Sequence, residues 1–307
     1  MEDWLRSVSH VDFAWLSEML DYSLNGGGKR IRPALTLLSG KFYNYNLDCL
    51  LPMAAAVESM HTATLIHDDA IDKSSVRRGR PTINKVWGEE KAILLGDYLF
   101  AKAGEFATDT KNLQVVKLFT QTLMAISSGE LNQALGSFSL EQTRQTYLHR
   151  ISSKTASLFA LAAESGAILS QAPENITRAL KDYGYNLGIA FQIVDDILDF
   201  TSTEEEIGKP IGSDLAQGTL TLPAMLLLER HPEDNPVKKL FQNENTQENI
   251  ELAIELIRKS SIIEECYSVA SDYSAKACHS IKQLPDNATH QALIDIADYV
   301  VNQNKMV

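Results

Sequence analysis

Cysteine is scarce: Cys49, Cys266 and Cys278 are the three in 307 residues. They are widely scattered and form no close-spaced metal or redox pair, which excludes a disulfide scaffold and points to a reducing, cytoplasmic location. Cations are outnumbered as well, 28 Lys and Arg against 40 Asp and Glu, a net charge of −12. A surplus of negative charge argues against general nucleic-acid binding, because phosphate backbones are held by excess Lys and Arg. The longest apolar stretch, around Leu158 to Leu169, is broken by Glu164 and Ser165, short of the ~20 apolar residues of a membrane span. No transmembrane segment is expected. Met1 to His10 mixes Glu2, Asp3 and Arg6 with apolar residues and lacks the basic and apolar runs of a secretory signal. Alternating strand patterns are almost missing. What remains is ordinary: 44% hydrophobic and 22% charged residues, enough apolar material for a substantial core.

Apolar residues recur at three- and four-residue intervals, the helical period. They do so through Val11 to Leu20, Met53 to Ile71, Lys91 to Ala107, Leu113 to Ala134 and Thr143 to Leu169. Further stretches are Thr177 to Phe200, Leu220 to Leu228, Glu248 to Lys259, Ile262 to Ile281 and His290 to Val301. With no repeat, low-complexity tract or long linker, residues 1–307 read as a single-domain all-α bundle of roughly ten or more helices. Three breaks stand apart from ordinary connections: Asn25 to Pro33, Asp72 to Thr82 and Thr201 to Thr219, each beside a charge cluster.

Two of those clusters share a pattern. His67-Asp-Asp-Ala-Ile-Asp72 and Val194-Asp-Asp-Ile-Leu-Asp199 each place Asp-Asp-x-x-Asp at the end of an apolar helix. Residues four apart share a helix face, so Asp68 converges with Asp72, and Asp195 with Asp199. Several carboxylates on one face repel unless a cation lies between them. Mg²⁺ prefers oxygen ligands and bridges carboxylates to phosphates, which makes a polyphosphate the expected ligand. A solvated acidic helix end produces such a pentapeptide once; two copies weaken that reading. Lys29, Arg30 and Arg32 follow three glycines, and Arg77 and Arg78 lie just beyond Asp72. An acidic protein has therefore concentrated its cations beside its carboxylates.

The sequence resembles the trans-type prenyl diphosphate synthase family. The resemblance is carried by Gly27-Gly-Lys-Arg-Ile-Arg-Pro, the first Asp-rich segment, Arg77-Arg-Gly-Arg-Pro-Thr and Gly96-Asp97. It continues through Lys154-Thr155, Phe191-Gln-Ile-Val-Asp-Asp-Ile-Leu-Asp and Gly208-Lys-Pro-Ile-Gly-Ser-Asp-Leu. The resemblance implies a large helical bundle of the isoprenoid synthase type with a central active-site cavity. It implies that Asp68, Asp72 and Asp195 bind Mg²⁺, three ions in all when the allylic diphosphate is present, with Asp69, Asp196 and Asp199 supporting the metal waters. Arg77, Lys154 and Lys209 are its implied contacts to the allylic diphosphate. Lys29, Arg32, His61 and Arg78 form its isopentenyl diphosphate pocket, with Phe191 as the aromatic wall. Thr155 and Gln192 match positions near the developing carbocation.

Ala63 and Thr64 precede Asp68 by five and four residues, where large residues in the resembling family stop growth at shorter products. Neither is an aromatic plug, so the resemblance implies a product longer than farnesyl with Met60 one turn deeper as its floor, the alternative being that Ala63 serves only helix packing. Thr219 stands where the resembling proteins usually have Lys. The resemblance implies a homodimer, for which the small-residue stretches Met53 to Ala63 and Leu94 to Gly104 are candidate interfaces. Two competing readings are a class I terpene cyclase and a non-catalytic regulatory subunit. The isopentenyl cations argue against the first, and the complete set of aspartates against the second.

Overall fold

The computed structural model describes residues 1–203, 210–244 and 246–302; Lys209 and part of its motif lie outside them. The chain enters through α1 (Glu2–Ser7), α2 (Ala14–Leu24), α3 (Ile31–Gly40) and the long α4 (Leu47–Ile71). A hairpin of two-residue strands, β1 (Val76–Arg77) and β2 (Arg80–Pro81), precedes α5 (Ile83–Trp87), α6 (Glu89–Asp109) and α7 (Leu113–Leu135). Next, α8 (Arg144–Ile151) runs through a π turn, Ser152–Ala156, into α9 (Ser157–Leu169), and α10 (Glu174–Thr201) follows. The remainder is α11 (Ser213–Ala216), α12 (Leu222–Arg230), α13 (Pro236–Phe241), α14 (Thr246–Lys259), α15 (Ile262–Ser280) and α16 (Ala288–Asn302).

A helix that is apolar on every side must be interior. Such is α4, whose Met53, Ala54, Ala55, Ala56, Val57, Met60 and Ala63 are completely buried against α3, α6 and α9. Its length and apolarity would suffice to cross a membrane, but 72% of its apolar window is buried within the protein. It also starts earlier than Met53: Asn46 Oδ1 accepts from Asp48 N at 2.9 Å, and Pro52 lies inside the helix rather than at its start. The burial of Met53–Ala63 corrects the expectation that this stretch supplies a dimer face.

Two local features escaped the periodicity. Pro33 reads as a breaker, yet it sits in the first turn of α3, where a missing N–H costs nothing. The stretch Thr143 to Leu169 is not one regular helix, because one turn widens to π geometry at Ser152–Ala156, a distortion frequent at functional sites. Glycines make room for that turn: a Cβ on Gly188 would meet Ala156 Cα at 2.5 Å, and one on Gly129 would meet Ser153 Cβ at 3.0 Å.

Two buried clusters result. One surrounds α4; the other gathers Ile193, Ile197 and Phe200 of α10 with Leu226, Ala253, Ile257 and Cys266. Helix α10 contributes to both, with Tyr183 and Leu187 in the first, and so fixes the second Asp-rich segment relative to the first. Replacing Gly188 by Ala overpacks the π turn. A loss of about 1–3 kcal/mol in urea unfolding is expected, whereas unchanged stability would show that α10 yields at this contact.

Candidate active site

The first Asp-rich segment forms the C-terminal end of α4. Asp68 lies 3.4 Å from Lys154 Nζ, which the π turn carries, and the same ammonium lies 2.6 Å from Glu130 of α7. Burial alone would lower the Lys154 pKa, but Asp68, Glu130 and Asp72 outweigh it and hold the ammonium above its ordinary range. Asp72 is exposed at the helix end, yet partial loss of hydration raises it, and Asp68 and Asp214 push it further up against the pull of Lys154 and Arg77. Asp69 points elsewhere and is buried, receiving Arg77 Nε at 2.8 and 2.9 Å on its two oxygens.

The second segment closes the C-terminal part of α10. Gln192 is held at both ends of its amide: Thr155 Oγ1 donates to its Oε1 at 2.6 Å, and its Nε2 donates to Asp196 Oδ1 at 2.9 Å and Asp195 Oδ2 at 3.4 Å. Buried Tyr147 donates from its hydroxyl to Asp196 Oδ2 at 2.7 Å. Burial, then repulsion from Asp214, pushes Asp196 up to about 7 against these two donors. Asp199 is buried too, accepting from Ser213 Oγ at 3.0 Å and Asp214 N at 3.3 Å. Asp199 thereby ties α11 to α10, and adjacent residues of the π turn bring the two Asp-rich ends together, Lys154 reaching Asp68 at 3.4 Å and Thr155 reaching Gln192 at 2.6 Å.

The cations form a second group along α4. Arg32 Nη1 lies 3.1 Å from His61 Nε2, and its guanidinium stacks 4.4 Å from the Phe159 ring centroid and 5.6 Å from that of Phe191. Burial brings Arg32 down to about 10. Burial, followed by Arg32, Arg78, Arg77 and Arg30, holds His61 well below 6.5, so the imidazole is neutral and its Nε2 accepts from Arg32. Arg78 has a left-handed backbone with φ 52°, followed by Gly79 at φ 71°. This is the signature of a tight hairpin turn, and it turns Arg78 back to donate to Gly27 O. Gly28 has φ 142°, a backbone that side chains disfavour, and its missing Cβ also leaves room for Arg78 Nη1, which a Cβ would meet at 2.9 Å. Lys29 Nζ sits 4.9 Å from the Tyr299 ring centroid of α16.

The predicted residues thus fall into two neighbourhoods, with Lys154, Thr155 and Gln192 joining the two Asp-rich ends. Thr64 is half-buried beside Ala63 and Met60, which are closed off. Thr219 is buried, its N–H donating to Asp214 O at 2.9 Å. Glu130, Tyr147, Phe159 and Tyr299 went unrecognised in the sequence. The only signal was the acid of Gly129-Glu130 in an apolar helix. Among the described residues no three His, Cys, Asp or Glu side chains gather as a closed metal cage. The neighbouring carboxylates of Asp68 and Asp72 suit a hard cation that keeps most ligands as water or phosphate oxygens.

The chain matches the family model for polyprenyl synthetase over residues 13–257. It is 41% identical over 296 residues to heptaprenyl diphosphate synthase component 2 of Bacillus subtilis, covering 96% of this chain and 85% of that one. The crystal structure of heptaprenyl diphosphate synthase from Staphylococcus aureus superimposes with a TM-score of 0.95 at 38% identity, covering 99% of this chain and 96% of that one. That of polyprenyl synthase from Caulobacter crescentus, complexed with calcium and isoprenyl diphosphate, gives 0.93 at 34% identity, covering 98% and 92%. An all-helical fold with two Asp-rich helix ends brought together, matched over nearly its whole length by these proteins, belongs to the polyprenyl synthetase family. The chain is a prenyl diphosphate synthase, a transferase of isoprenoid biosynthesis.

Neutral His61 carries a pH signature. An unfolded chain binds a proton near pH 6.5 that the native imidazole refuses. This contribution to stability is therefore complete above that pH and is lost as pH falls below it. Urea unfolding between about pH 7.5 and 5.5 should show stability dropping by up to about 1.4 kcal/mol per unit from this group. The drop should be smaller in His61→Gln, and equal slopes would contradict a neutral His61.

Proposed function

We propose that this enzyme condenses isopentenyl diphosphate with an allylic diphosphate, repeating the addition to a linear all-trans product in the heptaprenyl range. The observation that carries this is the separation of charge around α4. Carboxylates gather at one end, and Arg32 and Arg78 lie near His61 farther along it, an arrangement that supports two diphosphate sites rather than one. Asp68, Asp72 and Asp195 would hold Mg²⁺, three ions with the allylic diphosphate present, and the metal would supply positive charge that stabilises the departing pyrophosphate. Asp69, Asp196 and Asp199 stand behind these carboxylates, supporting the metal waters.

Arg77, Lys154 and Lys209 grip the allylic diphosphate as its C–O bond breaks. Thr155 and the oriented Gln192 amide point their dipoles at the allylic carbocation, an electrostatic role for groups already in place. Phe191 and Phe159 wall the five-carbon unit, whose double bond attacks the cation; the proton lost in the final elimination goes to pyrophosphate. Stacked aromatics and apolar helices keep water from trapping the cation. Ala63, Thr64 and Met60 set the depth available to the growing tail. The relatives named as heptaprenyl synthases support the product range. A terpene cyclase does not need the second cationic site, and a non-catalytic subunit does not need both Asp-rich ends intact.

The single domain, residues 1–307, is proposed to act in the cytoplasm, consistent with three free thiols. Its partner is a second copy seated on α6 and α7, where Leu94, Met124 and Leu131 are exposed large apolar side chains. The purified chain, incubated with Mg²⁺, labelled isopentenyl diphosphate and allylic primers, should give a ladder ending beyond farnesyl. It should sediment as a dimer. Ala63→Phe should shorten the ladder. A cyclic hydrocarbon without isopentenyl uptake, or activity only after adding a different subunit, would overturn the reading.

A further inference from the structure

Arg30 differs from its neighbours Lys29 and Arg32 in what it holds. Its Nη1 donates to Glu58 of α4, its Nη2 donates to Leu24 O at 2.9 Å, and its Nε lies 3.4 Å from Glu2 of α1. One guanidinium thus ties the N-terminal helix, the end of α2 and the middle of α4 together. Glu58 is buried, with 7% of its side chain exposed. The Arg30 backbone is left-handed, φ 50° and ψ 31°, at the residue that opens α3, a conformation costly for a residue with a Cβ and kept only where surroundings enforce it.

Glu58 and His61 are three residues apart and share a face of α4, while Arg30 and Arg32 flank Ile31. Arg30 to Glu58 and Arg32 to His61 are therefore two parallel rungs between the start of α3 and α4. The segment before them contributes little stiffness of its own: Gly27 and Gly28 have φ of 78° and 142° and no side chains to pack. A buried ion pair is costly to break because the remaining charge is stranded, which makes the first rung the firm one. We propose that Arg30 and Glu58 form a positioning pair that sets Lys29 and Arg32 in register with His61, without touching substrate. This inference rests on the synthase reading, in which those three residues bind isopentenyl diphosphate.

The test is steady-state kinetics of the full chain with each diphosphate varied separately. Arg30→Ala and Glu58→Ala should each raise KM for isopentenyl diphosphate roughly tenfold or more through misplacement of the cations. KM for the allylic diphosphate and kcat should stay within about threefold, the mark of lost binding at one site. The double variant should be no worse than either single one, since both remove the same interaction. Arg30→Lys and Glu58→Gln, which keep charge or shape, should fall between; if circular dichroism shows the alanine variants unfolded, these two decide. Folded variants with wild-type KM for isopentenyl diphosphate overturn the inference, however much stability they lose. Equal losses for both substrates overturn it too. A wild-type chain that takes up no isopentenyl diphosphate overturns the synthase reading, and the inference falls with it.

Discussion

Carboxylates crowded at the ends of two apolar helices repel one another, and burial strengthens the repulsion because there is less water to screen it. Asp68 and Asp72 end α4, Asp195 and Asp199 end α10, and Asp214 adds a fifth acid between them. Loss of hydration first, and repulsion from neighbouring acids second, push Asp72 and Asp196 upward. Lys154 and Arg77 offset part of the rise at Asp72, and a doubly charged cation would offset the rest. The fold keeps this arrangement because both helices are anchored by apolar packing along their whole length, far from the charges.

The surrounding groups are sorted by what they can stabilise. Lys154 is delivered by a π turn that a regular helix would not form, and it meets Asp68 and Glu130 at once. The Thr155, Gln192, Asp196 and Tyr147 chain fixes an amide in one orientation, leaving no freedom to lose when charge develops beside it. Arg32 stacks on two phenylalanines, and its lowered pKa still leaves it charged at neutral pH. His61, kept neutral, is the acceptor that orients it. The glycines and the hairpin bring Arg78 to the same place from the other side.

How much of this was legible in the sequence follows from periodicity. Helices with one apolar face, such as α7 and α10, declare themselves, and the Asp-rich segments can be placed at helix ends because four-residue spacing is geometric. The start of α4 was obscured by Pro52, and α3 by Pro33, since proline reads as punctuation wherever it falls. The π turn has no compositional mark. The hairpin strands are two residues long, too short to alternate. Tertiary partners were least visible: Tyr147 finds Asp196 from 49 positions away, and nothing in the local sequence announces it. Small residues in α4 suggested a surface for a second copy, whereas the chain's own helices cover them. In a helix apolar all round, smallness serves close packing inside.

The central claim is that the gathered carboxylates form a diphosphate site only when a divalent cation joins them. Isothermal titration of a slowly ionising allylic thiodiphosphate, with Mg²⁺ and then with chelator, tests it directly. The account predicts binding tighter by about tenfold or more with Mg²⁺, and loss of that gain in Asp195→Asn. Equal affinity with and without the cation, or an undiminished gain in Asp195→Asn, would contradict it.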